Sequence, residues 1–328
     1  MSTEGWDEVD KLSHKFSNVY LDRNTPIILD KSNKYDKTLR PLEVVPEEIT
    51  GHPKRLKADD PFFRHIDEFA TKWGLISEES KNNIKLACGY LDFPVILLQN
   101  PCDTHAQQYD QMFSPGSTLN WVRKMLGQMN LTMDDICIWD TLPMISTQWL
   151  DTRSLDEQKD AIEEAFALTI KFVETFQPRT LISCQCATGS AGHKFGTIDH
   201  SFARYISSSL RMAQDRLVSG IKISEHYILL VVLGFHPGRL IRERISQEDT
   251  TLRELFRTIY APCSDWKGKH CAMVNAQKEV EAALRTMTAT LEAYRNTIQP
   301  LRDCCQPSRS GRLLIMKVQN ILNQLDIH

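Results

Sequence analysis

The chain has 328 residues, 41% of them hydrophobic and 25% charged, with a formal net charge of −3. That composition suits a globular chain long enough for one large α/β domain with additions. It argues against strong non-specific nucleic-acid binding, which rests on Lys and Arg neutralising phosphates. No stretch approaches the ~20 apolar residues that span a bilayer, and the polar start MSTEGWDEVDKLSHK lacks a signal-peptide core. The expectation is an intracellular protein, nuclear or cytoplasmic, with no secretion signal and no membrane partner.

Residues 1–58 are polar and mixed, with short strand-like pieces such as TPIILD (25–30), and read as an arm packed on the core. A helix is expected from Asp59-Asp60-Pro61, an acidic cap with proline in the first turn, and another from Ser77. PVILLQ (94–99) has the length of a buried strand. Ser117 caps a helix with Leu119, Val122, Leu126 and Met129 on one face. ICIWD (136–140) is a second strand. SLDE (154–157) is a capping box that opens a long helix with Ile162, Phe166, Thr169, Val173 and Phe176 inward. RTLISCQ (179–185) and HYILLVVLG (226–234) are the third and fourth strands.

Strands that are apolar throughout and alternate with helices imply a three-layer α/β/α domain over residues 59–246, with a central, mostly parallel, four-stranded sheet. After residue 246 the alternation stops. LRELFRTIY (252–260), residues 272–298 and LLIMKVQNILNQL (313–325) read as three helices of a C-terminal extension, 247–328. The second carries Val280, Leu284, Met287, Leu291, Tyr294 and Ile298 at heptad-like spacing. Such an extension either packs as a helical hairpin or joins two copies of the chain as a homodimer.

Ligands of such sheets bind beyond the carboxyl ends of the strands. The residues there are Gln99-Asn100-Pro101, Asp140, Gln185 and Phe235-His236. The nine cysteines include Cys184-x-Cys186, Cys304-Cys305 and Cys263…His270-Cys271, but no paired CxxC spacing. No metal and no cofactor are therefore expected, and the thiols read as reduced.

The order of these exits resembles the uracil-DNA glycosylase superfamily over about residues 90–245. LQNPC (98–102) is similar to that family's first-strand motif GQDPY, GEAPG or GINPG, and MFSPGSTLNWVRKML to its PFVGRAGQLLDRLL. DEQKDAIEEAFALTIKFVETFQPRTLISCQCAT is similar to PEEQAAC…PRVIVALGATA. His236-Pro237-Gly238 stands where the family has HPS or HPA. The resemblance implies a metal-free hydrolase that flips a base from DNA and breaks its N-glycosidic bond.

It also implies roles. His236, neutral, would donate a hydrogen bond to the pyrimidine O2 as charge develops there. Asn100 would hold the attacking water, with Asp103 and His105 close behind as sources of a base. Gln99 would contact the base and Phe113 stack on it. Gly238, Arg239 and Arg242 would meet DNA, with Arg239 filling the gap in the duplex or binding phosphate. Each residue also has a plainer reading, His236 as a turn residue, Asn100 as a turn starter before proline, Phe113 as a core aromatic, Arg239 as a solvated helix start. His193 and His200 have no counterpart in the family and read as structural.

The chain departs from the family at Leu98, Cys102 and Asp140. Asp140 replaces the Asn whose amide reads uracil O4 and N3–H. An ionised carboxylate would repel O4 and accept from an exocyclic amine such as cytosine N4. Two other functions fit the same residues. One is an inert or weakly active member of the fold that binds nucleic acid or protein, and the other a hydrolase of free nucleosides or small glycosides.

Overall fold

In the computed structural model the described residues are 38–42, 49, 52–185, 198, 200–243, 246–304, 313, 316, 317 and 320. TPIILD and most of LLIMKVQNILNQL lie outside them. The chain divides into two compact units, at Lys267 and Gly268.

In chain order the first unit opens with β1 (Thr38–Pro41) and β2 (Arg55–Leu56). Asp60 accepts from the Phe62 N–H and starts a 3-10 turn, Pro61–Phe63, that leads into α1 (Arg64–Trp73). Next come α2 (Ser77–Ala87), β3 (Gly89–Tyr90) and β4 (Val95–Leu98). Two 3-10 turns, Asp103–Ala106 and Tyr109–Phe113, precede α3 (Thr118–Gly127), which Ser117 caps. After β5 (Ile138–Asp140) and α4 (Thr147–Asp151), the Ser154–Glu157 capping box opens α5 (Leu155–Phe176). The rest is β6 (Thr180–Ser183), α6 (Ser201–Ile206), α7 (Leu210–Gln214), β7 (Leu217–Ser224), β8 (Tyr227–Leu233), α8 (Gly238–Glu243) and α9 (Ser246–Cys304).

The protein is a mixed α/β structure whose central sheet has six strands, in the order β1-β7-β8-β6-β4-β5. The expected four-stranded sheet is thus too small. The four apolar runs form its parallel part, and β7 and β1 extend it antiparallel from β8. LVSGIKIS (217–224) escapes a search for continuous apolar runs because Ser219, Gly220 and Lys222 interrupt it. It pairs because β8 follows directly, with Ser224 opposite Tyr227. β1 draws part of the N-terminal arm into the sheet.

Both sheet faces are buried. Val95, Leu97, Trp139, Leu181 and Val231 pack against α1 and α5. Ile96, Leu98, Ile138, Ile182 and Val232 pack against α3 and the first turns of α9. The parallel strands therefore lie in the order second, first, third, fourth, with the helix after β4 on one face and the helix after β5 on the other. Strand order reverses between β4 and β6, which makes their exits a topological switch point.

Residues 252–260 and 272–298, expected as two helices, are one helix in spite of Pro262 and Gly268. Tertiary contacts override the local propensity. Ile259, Tyr260 and Cys263 are buried, the Tyr260 hydroxyl donates to Pro94 O at 2.7 Å, Ser264 Oγ donates to Met129 O at 2.7 Å, and Lys267 pairs with Asp135. No described helix is long and apolar enough to cross a membrane.

Candidate functional site

Parallel pairing sets the four strand exits side by side. Leu98 stands opposite Asp140, Leu97 opposite Ser183, and Ser183 opposite Leu233. Backbone bonds carry the alignment past the strands. Thr141 N donates to Leu98 O at 2.8 Å, Leu142 N to Gln99 O at 3.0 Å, and Gly234 N to Ser183 O at 2.9 Å.

Asn100 leaves β4 half-buried. Its Nδ2 donates to Ile145 O at 3.2 Å and Thr147 Oγ1 at 3.3 Å, which ties it to the β5 exit loop. With the amide nitrogen so committed, Oδ1 is the group Asn100 can offer. Gln99 is half-buried beside it.

Asp140 ends β5 fully buried, and among the described residues nothing hydrogen-bonds its Oδ1. Loss of solvation pushes its carboxyl up to about 7, so much of it is neutral at physiological pH. A neutral acid donates one hydrogen bond and accepts another, the same pair that an amide presents.

His105, in the turn after β4, is buried with Nδ1 unbonded among the described residues, and burial pushes its imidazole down to about 4. Asn82 Nδ2 donates to its backbone oxygen at 2.8 Å and so fixes the turn. The Asp103 side chain lies outside the described residues.

His236 follows β8 and is half-buried. The Gly238 N–H donates to its Nδ1 at 3.0 Å. An accepting Nδ1 carries no proton, which leaves Nε2 as the ring nitrogen that can donate. A Cβ on Gly238 would lie 2.7 Å from His236 Nδ1 and 3.4 Å from Thr118 Oγ1. Only glycine allows the imidazole this position. The Ser or Ala of HPS and HPA would push it away, and nothing in the motif match alone reveals that.

Phe113 is buried, in the turn before α3. The Arg123 guanidinium lies 5.0 Å from its ring centroid and the Tyr109 ring meets it edge-on at 5.1 Å. Arg239 is bound through Nε and Nη2 to both oxygens of Glu248, at 2.8 and 3.1 Å. The Arg242 side chain and His193 lie outside the described residues. His200 caps α6, accepting from the Phe202 N–H at 3.1 Å. Gln185 is buried and donates to Ile206 O at 2.7 Å.

The structure thus joins Asn100 and Asp140 at neighbouring exits, and sets Gly238, which bonds His236, near Thr118 at the start of α3, whose Ser117 cap also donates to Met112 O beside Phe113. Glu248 carries no signal in the sequence, since only folding brings it to Arg239. Beyond the β8 exit an open groove of about 390 Å³ is lined by Gln214, Arg216, Gln247, Thr251 and Glu254. Among the described residues no group of three or more His, Cys, Asp or Glu side chains could hold a metal ion. No protein-family model and no curated protein matches the chain.

Proposed function

We propose that the protein is a divergent uracil-DNA glycosylase-like hydrolase acting on a base flipped out of DNA. The observation that carries this reading is His236 at the exit of the last parallel strand, its Nδ1 accepting from the Gly238 N–H so that Nε2 is the nitrogen left to donate. As the C1′–N bond breaks, its electron pair leaves with the base and charge gathers on O2. The Nε2–H donates to that oxygen, and fixed donors of this kind need no reorganisation in the transition state.

Water adds to C1′ and loses a proton as the base gains one. Asn100 Oδ1 accepts from that water, held by the bonds of its amide nitrogen. Asp140, when neutral, donates to O4 and accepts from N3–H of a uracil-like edge, as the family's Asn does. When ionised it accepts from an exocyclic amine instead.

A second reading, an inert binding module, draws on the covered ring of Phe113 and the bidentate hold of Glu248 on Arg239. One assay separates the two. The protein and His236→Ala are incubated with single- and double-stranded oligonucleotides carrying uracil, hypoxanthine, xanthine or mismatched bases. The hydrolase reading expects excision that falls by ~10²–10³ in the variant, the usual loss for one transition-state donor. Oligonucleotide binding without excision of any base would leave the binding module.

A further inference from the structure

Beyond Lys267 the helix α9 continues to Cys304, and its residues 268–298 are almost all exposed. Met273, Val280, Leu284, Met287 and Tyr294 stand 56, 59, 52, 47 and 60% exposed, on a face completed by Leu291 and Ile298. Written as heptads, the a positions are Gln277, Leu284, Leu291 and Ile298, and the d positions Met273, Val280, Met287, Tyr294 and Leu301. A strict seven-residue repeat drifts around a straight helix, and only supercoiling against a partner keeps such a seam continuous. Most helical stability comes from packing of the apolar face, so a seam this long that the described residues leave largely open is an incomplete structure.

We propose that this seam pairs with a second copy of the chain as an antiparallel two-stranded coiled coil. The size suits a stable dimer. At roughly 100 Å² for each of the five a and d side chains that stand about half exposed, two seams would remove about 1,000 Å², the size a specific interface must reach.

The direction follows from the sequence of the seam. Parallel two-stranded coils favour leucine at d, whereas here the leucines and the isoleucine stand at a and the d positions hold Met, Val and Tyr. Antiparallel pairing sets each a side chain against a d of the partner copy. With Leu291 opposite Met287 of the second copy, Leu284 meets Tyr294 and Ile298 meets Val280.

In the same register Glu281 and Arg295, both at e, face each other twice across one edge. The opposite edge carries only the small residues Ala283, Thr290 and Thr297. Parallel pairing sets Ala276 beside Glu281 and Thr290 beside Arg295, with no ion pair at all. Glu281 takes a hydrogen bond from Gln277 at 3.1 Å, which keeps its carboxylate on the seam's flank. The inference rests on residues outside the sheet unit and stands apart from any catalytic reading.

Sedimentation equilibrium of the full chain at micromolar concentration tests it. The expected mass is that of two copies, with Leu284→Asp/Leu291→Asp reduced to one copy while the near-ultraviolet spectrum of the aromatic-rich sheet unit stays unchanged. Glu281→Arg alone should weaken association about five-fold, and Glu281→Arg with Arg295→Glu should restore it. Spin labels at Asn275 should lie ~40 Å apart, the rise of about 28 residues. A single-copy wild type, or association indifferent to the double aspartate, overturns the dimer. Labels within ~15 Å of each other overturn the antiparallel register.

Discussion

Asp140 and His105 are both buried with an unbonded polar atom among the described residues, and their titrations pull stability in opposite directions. The Asp140 carboxyl is raised from 3.8 to about 7 by burial. The folded state holds its proton more tightly, so the cost of ionisation is absent below pH ~4, grows towards 7 and is complete above. The His105 imidazole is lowered from 6.5 to about 4 by burial. Its contribution is complete above pH ~6.5 and is lost as pH falls towards 4. The wild type should therefore show a nearly flat stability between pH 4 and 7. Urea unfolding should find Asp140→Asn about 2–4 kcal/mol more stable than wild type above pH 7, with a steeper loss on acidification. His105→Asn should instead gain stability on acidification. If Asp140 faces the base, uracil excision by the wild type should fade above pH ~7, whereas Asp140→Asn should be active across that range. Parallel profiles would mean that Asp140 reads nothing. Gly238→Ala should lower activity about as far as His236→Ala with little loss of stability, because the new Cβ would meet the imidazole rather than the core. Unchanged turnover in Gly238→Ala would remove His236 from the chemistry.

Two helix caps of equal strength have different consequences at the scale of elements. Ser154 bonds the Glu157 N–H and carboxylate at the start of α5, both side chains exposed and neither bonded to a residue of the candidate site. Ser117 bonds the Asn120 N–H and also Met112 O, so it holds the turn that carries Phe113 to the start of α3. Ser154→Ala and Ser117→Ala should each cost about 1 kcal/mol in denaturant unfolding. Only Ser117→Ala should also change oligonucleotide binding or excision. Equal binding by the two variants would dissociate the Phe113 turn from function. The sheet makes a similar distinction. β4 to β6 are apolar on both faces and were legible as strands, whereas β7 is held by β8 next to it and was not.

For the whole molecule, the division at Lys267 and Gly268 follows from where burial ends on α9. Leu252, Leu255, Phe256, Ile259 and Tyr260 are core residues of the sheet unit, and Trp121 Nε1 donates to Asp249 at 2.9 Å. A chain stopped after Lys267 keeps all of these contacts and should unfold cooperatively with its near-ultraviolet spectrum intact. A chain stopped at residue 246 loses them all and should lose cooperative unfolding or remain insoluble. Calorimetry of the two truncations decides the matter, and equal stability would show that α9 is dispensable to the core. Under the proposed dimer, the chain stopped after Lys267 should also be a single copy at every concentration.

Features governed by short-range physics can be read from the residues alone. Continuous apolar runs marked β4, β5, β6 and β8, Ser117 and the Ser154–Glu157 box marked helix starts, and strand polarity placed Asn100, Asp140 and His236 at one end of the sheet. The tertiary structure decided everything that depends on residues far apart in the chain. It added β1 and β7, because an interrupted strand is stabilised by its neighbour rather than by its own pattern. It carried α9 through Pro262 and Gly268, since Tyr260 and Lys267 have partners more than a hundred residues away. It raised the Asp140 carboxyl by burial, set Arg123 over Phe113, gave Arg239 to Glu248, and gave His236 Nδ1 a donor in the Gly238 N–H. Charge state and orientation belong to the environment of a side chain, and only the folded chain supplies that environment.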